Sequence, residues 1–164
     1  LLDGPLWFGH YATGPKECRF SIEEAARRTA ENVGLFIASF PDLIVGDIEG
    51  TPLVLQADWQ SGYRAFKTAL DAAMARRLDS LILDVNWRAA SWPKDVTAMA
   101  AMARALGMRF GMIYNGDGLD DGNAGWVAHA ERNFTMLETE HAAQYQREPE
   151  THQHLRYIGW IPEI

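Results

Sequence analysis

The sequence predicts an α/β protein built from parallel (β/α) units, and three observations carry that expectation. Short apolar runs at Leu43–Glu49, Leu81–Trp87 and Phe110–Asp117 each end in polar residues. An amphipathic segment at helical spacing follows each run, so strand and helix signals alternate along the chain. Continuous apolar runs suit strands covered on both faces, as in parallel sheets flanked by helices. Neither a Gly-rich dinucleotide fingerprint nor a P-loop follows any of them, which disfavours a nucleotide-binding open sheet.

Taken in order, Leu6–Tyr11 reads as a first strand with a polar-tipped end. Ser21 and Glu24 have capping-box spacing. Ala25, Ala26, Thr29, Val33, Phe36, Ile37 and Phe40 continue at helical spacing until Pro41, which places a helix at about residues 22–39. The strand at 43–49 leads into a loop with Pro52, Trp59 and Gln60. A second helix carries the stripe Tyr63, Phe66, Leu70, Ala73, Met74 and Leu78, and a strand follows at 80–85. Ser91 and Pro93 open a third helix, lined inwardly by Val96, Met99, Ala100, Ala103 and Leu106 and capped by Gly107. After a strand at 108–114 and a polar loop, a fourth helix covers about 123–142, with Trp126, Val127, Ala130, Phe134 and Leu137 turned inward. The segment Gln146–His154 reads as a loop and Leu155–Trp160 as a last strand.

That order is βαβαβαβαβ, about five strands and four helices, whereas a closed (β/α)8 barrel needs eight strands. The expectation is therefore a single domain over residues 1–164 forming part of a barrel, truncated on its N-terminal side and, since no helix follows the last strand, at its C-terminal end too. Two open sheet edges would then favour self-association.

Composition narrows the partners. Hydrophobic content of 48% and charged content of 23% are those of an ordinary soluble globular protein. A net charge of −7 with scattered Lys and Arg argues against nucleic acid. No apolar run approaches the roughly 20 residues that span a bilayer, so no membrane partner is expected. Cys18 is the only cysteine, which excludes an internal disulfide and a thiolate metal cluster. The amino terminus, Leu-Leu-Asp-Gly-Pro, carries no signal-peptide pattern and does not decide between cytoplasm and secretion.

In parallel α/β folds, chemistry collects at the carboxyl ends of the strands. Asp47 and Glu49, two apart on one strand, point to the same side and are read as facing the site. Asp84 and Asn86 repeat the relation on the next strand, and Asn115 and Asp117 on the one after. Paired carboxylates can serve as acid and base, or acid and nucleophile. Tyr11, Trp59, Trp87, Tyr114 and Trp160 fall at or just past strand ends, where flat rings suit the apolar face of a sugar. His10, Asp47, Glu49 and Asp84 offer an alternative ligand set for a divalent metal, although no cofactor is the primary expectation. His152 and His154 lie in the loop before the last strand and read as solvated.

At VGDIEG (45–50), LDVNW (83–87) and IYNGD (113–117), the chain resembles the catalytic half of TIM-barrel glycoside hydrolases and hydrolase-like bacterial proteins. The resemblance implies a partial TIM barrel acting on carbohydrate, cleaving a glycosidic bond with paired carboxylates. Its members commonly carry an Asn-Glu pair, which this sequence lacks. The expected roles are Glu49 as general acid, with Asp47 beside it, and Asp84 as base or nucleophile. His10, Tyr11, Asn86, Trp87, Tyr114, Asn115, Asp117 and Trp160 are expected to hold the sugar. A metal-dependent sugar isomerase or lyase and a non-catalytic carbohydrate-binding barrel are the alternatives.

Overall fold

The computed structural model describes residues 1–137, in which strands and helices alternate. The strands are β1 (Leu2–Asp3), β2 (Gly46–Gly50), β3 (Ser80–Asp84) and β4 (Arg109–Ile113). The helices are α1 (Ile22–Ser39), α2 (Thr51–Val54), α3 (Trp59–Met74), α4 (Trp92–Ala105) and α5 (Gly122–Thr135). The four strands form one all-parallel sheet in the order β1-β2-β3-β4. That sequential order lacks the reversal found at the switch point of a doubly wound sheet.

Register assigns the faces. Asp47 pairs with Leu81, Glu49 with Leu83, and Leu83 with Met112. Side chains at these positions share one face, because strand residues alternate. Leu81, Leu83 and Met112 belong to the main core, together with Ala25, Ala26 and Val33 of α1, Tyr63, Phe66 and Leu70 of α3, and Val96 and Met99 of α4. The helices therefore pack on this face. The opposite face carries a separate small cluster of Ile48, Ile82 and Ile113.

Most elements form for the reasons the sequence offers. Ser21 Oγ accepts the Glu24 N–H at 3.1 Å and caps α1. The α3 stripe of Tyr63, Phe66, Leu70 and Met74 is buried, and truncating such a side chain as Phe66 typically costs about 3–5 kcal/mol. Pro93 sits in the first turn of α4, and Gly107, at φ 64°, closes its end.

Several expectations fail. Leu6–Tyr11 is not a strand: the strand is Leu2–Asp3, Gly4 at φ 58° breaks it, and Trp7–Tyr11 forms a single π-helical turn. A short apolar run does not distinguish strand from helical turn by periodicity. The loop expected around Pro52 contains α2, and Trp59 is a buried residue opening α3. Phe36 on α1 and Phe40 at its C-cap are exposed. An 18-residue helix is roughly 27 Å long against roughly 17 Å for a five-residue strand, so its last turns overhang the sheet. On α5, Val127 is exposed and Asn133 is the buried residue, its Nδ2 donating to the Asn115 carbonyl at 2.9 Å. The expected end of the fourth helix past residue 137, the loop 146–154 with its histidines, and the last strand with Trp160 lie outside the described residues.

Candidate functional site at the strand ends

Asp47 and Glu49 project from β2 into the layer between sheet and helices, and both are fully buried. Tyr63 Oη, from α3, donates to Asp47 Oδ2 at 2.9 Å, while Asp47 Oδ1 has no hydrogen-bond partner. Burial, with the Asp3 charge adding to it, pushes the Asp47 carboxyl up to about 8 against the opposing Tyr63 bond. Glu49 Oε1 accepts the Leu6 N–H at 2.8 Å and Oε2 the Trp7 N–H at 3.2 Å. These are free donors at the start of the π-helical turn, so Glu49 caps it. Burial and then the neighbouring Asp47 hold the Glu49 carboxyl well above the usual range, against the pull of those two backbone bonds.

This placement corrects the expected catalytic trio. Register pairs Asp84 with Gly50 and Ile113, so Asp84 lies on the face opposite Asp47 and Glu49. Spacing made Asp47 and Glu49 share a side, and that side is the helix layer. Both Glu49 oxygens are engaged by backbone N–H groups in the core.

His10 and Tyr11 also leave the expected site. His10 Nδ1 sits 2.6 Å from the Phe20 carbonyl oxygen. The Tyr11 hydroxyl is tucked against Gly62 of α3, where any Cβ would collide with it. Buried, and with the Asp58 carboxylate beside it, the Tyr11 phenol is pushed up to about 12. The proposed metal ligands are thus dispersed: Asp47 and Glu49 face the helices, Asp84 the other side, and His10 the Phe20 backbone. Among the described residues no three acidic, His or Cys side chains come together to hold a metal.

Five of the remaining expected residues do converge. A cleft of about 280 Å³ opens at the carboxyl ends of β2, β3 and β4, lined by Asp84, Asn86, Trp87, Asn115 and Asp117. Asn115 Nδ2 donates to Asp84 Oδ1 at 2.9 Å. The Asp84 side chain is exposed, yet crowding of the carboxyl by its neighbours first, and the Asp3 charge next, raise it, with the Asn115 bond opposing. Thr51 Oγ1 donates to the Asp84 carbonyl at 3.3 Å and accepts the Asn86 N–H at 2.9 Å, tying α2 to the end of β3. Asp117 pairs with Arg88 at 3.1 Å and accepts the Leu119 N–H at 2.8 Å.

Of Trp87 and Tyr114, only Trp87 lines the cleft. Its Nε1 donates to the Ile113 carbonyl at 3.2 Å, and its ring stacks on Tyr114 with centroids 5.6 Å apart. Tyr114 is buried and packs edge-on against Phe134, so it supports Trp87 from the core rather than facing a ligand.

Sequence reasoning missed Thr51, Arg88 and His129, the first and last of which line the cleft. His129 lies within α5, and its Nδ1 sits 3.0 Å from Asp120 Oδ2. No motif links Asp120 to His129. The one local signal is Gly116, where a Cβ would strike the Trp126 carbonyl and lie 2.8 Å from Asp120 Oδ2. That glycine lets the loop after β4 close against α5. No protein-family model, curated protein or solved structure matches this chain.

Proposed function

We propose that this chain is part of a (β/α)8 barrel whose cleft binds carbohydrate and hydrolyses a glycosidic bond, with Asp84 as general acid. The observation that carries the reading is Asp84 itself. It is an exposed carboxyl, raised above its ordinary value, at the carboxyl end of a parallel strand, in a cleft that also offers two amides and an indole. Amides take sugar hydroxyls, the indole face takes the apolar side of a ring, and a protonated carboxyl serves a departing oxygen. The sequential strand order with helices packed on one face supports the barrel assignment. Asp117, ion-paired with Arg88, supplies a second carboxylate in the same cleft. Relative to the sequence-based expectation, the acid role moves from Glu49 to Asp84.

A panel of disaccharides and 4-nitrophenyl glycosides tests this. Asp84→Asn should slow disaccharide hydrolysis about 100-fold or more. It should slow nitrophenyl glycosides far less, because nitrophenolate leaves without a proton. Equal losses on both substrate types would remove Asp84 from the acid role. If calorimetry shows sugar binding that Asp84→Asn leaves intact, and nothing is hydrolysed, the site is a binding module.

A further inference from the structure

Asp120 follows β4 and His129 belongs to α5, and together they form a pair that nothing in the sequence announces. Both Asp120 oxygens lie against His129 Nδ1, at 3.1 and 3.0 Å. Asp120 Oδ2 also accepts the Asp117 N–H at 2.6 Å. That backbone bond, and then the bond to His129, hold the Asp120 carboxyl below its usual range. An ionised carboxylate can only accept, so the hydrogen between the two belongs to Nδ1. In the neutral imidazole the other nitrogen, Nε2, then carries the lone pair. His129 lines the same cleft as Asp84, and its side chain is 24% exposed. A carboxylate that fixes the tautomer of a histidine bordering a cleft is the arrangement that presents Nε2 as a base.

We propose that His129 is the base of this cleft, its Nε2 taking the proton of an attacking water while Asp84 protonates the departing glycosidic oxygen. Asp120 is the positioning residue, and the proposal rests on the glycosidic reading above. In the step, the water oxygen bonds to the anomeric carbon as the bond from that carbon to the leaving oxygen breaks. One water proton goes to Nε2 and the Asp84 proton goes to the leaving group. His129 ends as an imidazolium paired with Asp120, and Asp84 as a carboxylate accepting from Asn115. Proton exchange with solvent restores both. Water entering opposite the leaving group inverts the anomeric configuration.

The test has one arm that needs no substrate. Nitrogen-15 NMR of the full chain, with the His129 signals assigned by their loss in His129→Gln, reads the tautomer directly. The wild type should show the Nδ1–H form, and Asp120→Asn should shift it toward Nε2–H. A wild type in the Nε2–H form overturns the proposal whatever the protein hydrolyses. On a disaccharide that the wild type cleaves, His129→Gln should lower kcat about 100-fold or more with KM little changed. Proton NMR should show the inverted anomer as first product. An unchanged kcat or a retained configuration overturns the assignment of His129 while leaving the glycosidic reading standing. An Nδ1–H tautomer without cleavage of any glycoside overturns the glycosidic reading and the water-activation step with it.

Discussion

Asp47 illustrates how one buried side chain sets a property of the whole protein. Burial pushes its carboxyl up to about 8 in the fold, against about 3.9 in an unfolded chain. Between those values the folded state holds a proton that the unfolded state has lost. Stability therefore falls as pH rises across that window, by up to about 1.4 kcal/mol per pH unit for one such group. The contribution is fully present at the acid end. Glu49, raised in the same direction, adds to the same trend. Urea unfolding at pH 5 and pH 8.5 should show this loss, and Asp47→Asn should flatten it, since an amide keeps the neutral form at every pH. An unchanged slope in Asp47→Asn would show that the carboxyl is not the titrating group. The sequence made the Asp47–Glu49 parity legible, because strand residues two apart share a side. It could not say which side, because that depends on where the helices pack. Asp84, Asn86, Trp87, Asn115 and Asp117 were legible as a group because their position past strand ends constrains them. His129 was not, since its role arises from a contact with Asp120 nine residues away that no spacing rule encodes.

Elements follow local signals where a cap or a breaker is strong. Ser21, Pro93 and Gly107 mark helix boundaries that the structure keeps. The end of α3 lacks such a signal: Ala75 occupies the left-handed region at φ 53°, a position that favours glycine. Ala75→Gly should stabilise the fold by about 1 kcal/mol, the approximate cost of a Cβ in that conformation. Thermal unfolding checks this, and a lower Tm would mean that the Ala75 methyl contributes more by packing than it costs in strain. The first segment was misread for the opposite reason. Leu6–Tyr11 has strand-like composition, yet Glu49, from a distant strand, satisfies the N–H groups of Leu6 and Trp7 and so fixes a helical turn. Tertiary contacts decide between strand and helix when the apolar run is short.

At the scale of the molecule, the sheet divides two kinds of carboxylate. On the helix face, Asp47 and Glu49 are enclosed by the core and bind Tyr63 and the first helical turn. On the other side, at the strand ends, Asp84 opens into a cleft shared with Asn115, Asp117 and His129. Within residues 1–137 no helix is long and apolar enough to cross a membrane. Among the described residues, β1 and β4 form the sheet edges, and the proposed self-association through open edges would appear as concentration-dependent sedimentation. The division of the acids is the central claim, and a paired substitution tests it most directly. Hydrolysis of one accepted disaccharide should be compared for Asp84→Asn and Glu49→Gln, with folding of each variant checked by circular dichroism. Glu49→Gln sets an amide donor against a backbone N–H and should lower stability by about 1–3 kcal/mol while kcat stays close to wild type. Asp84→Asn should keep its stability and lose activity. A folded Glu49→Gln without activity beside an active Asp84→Asn would contradict the account.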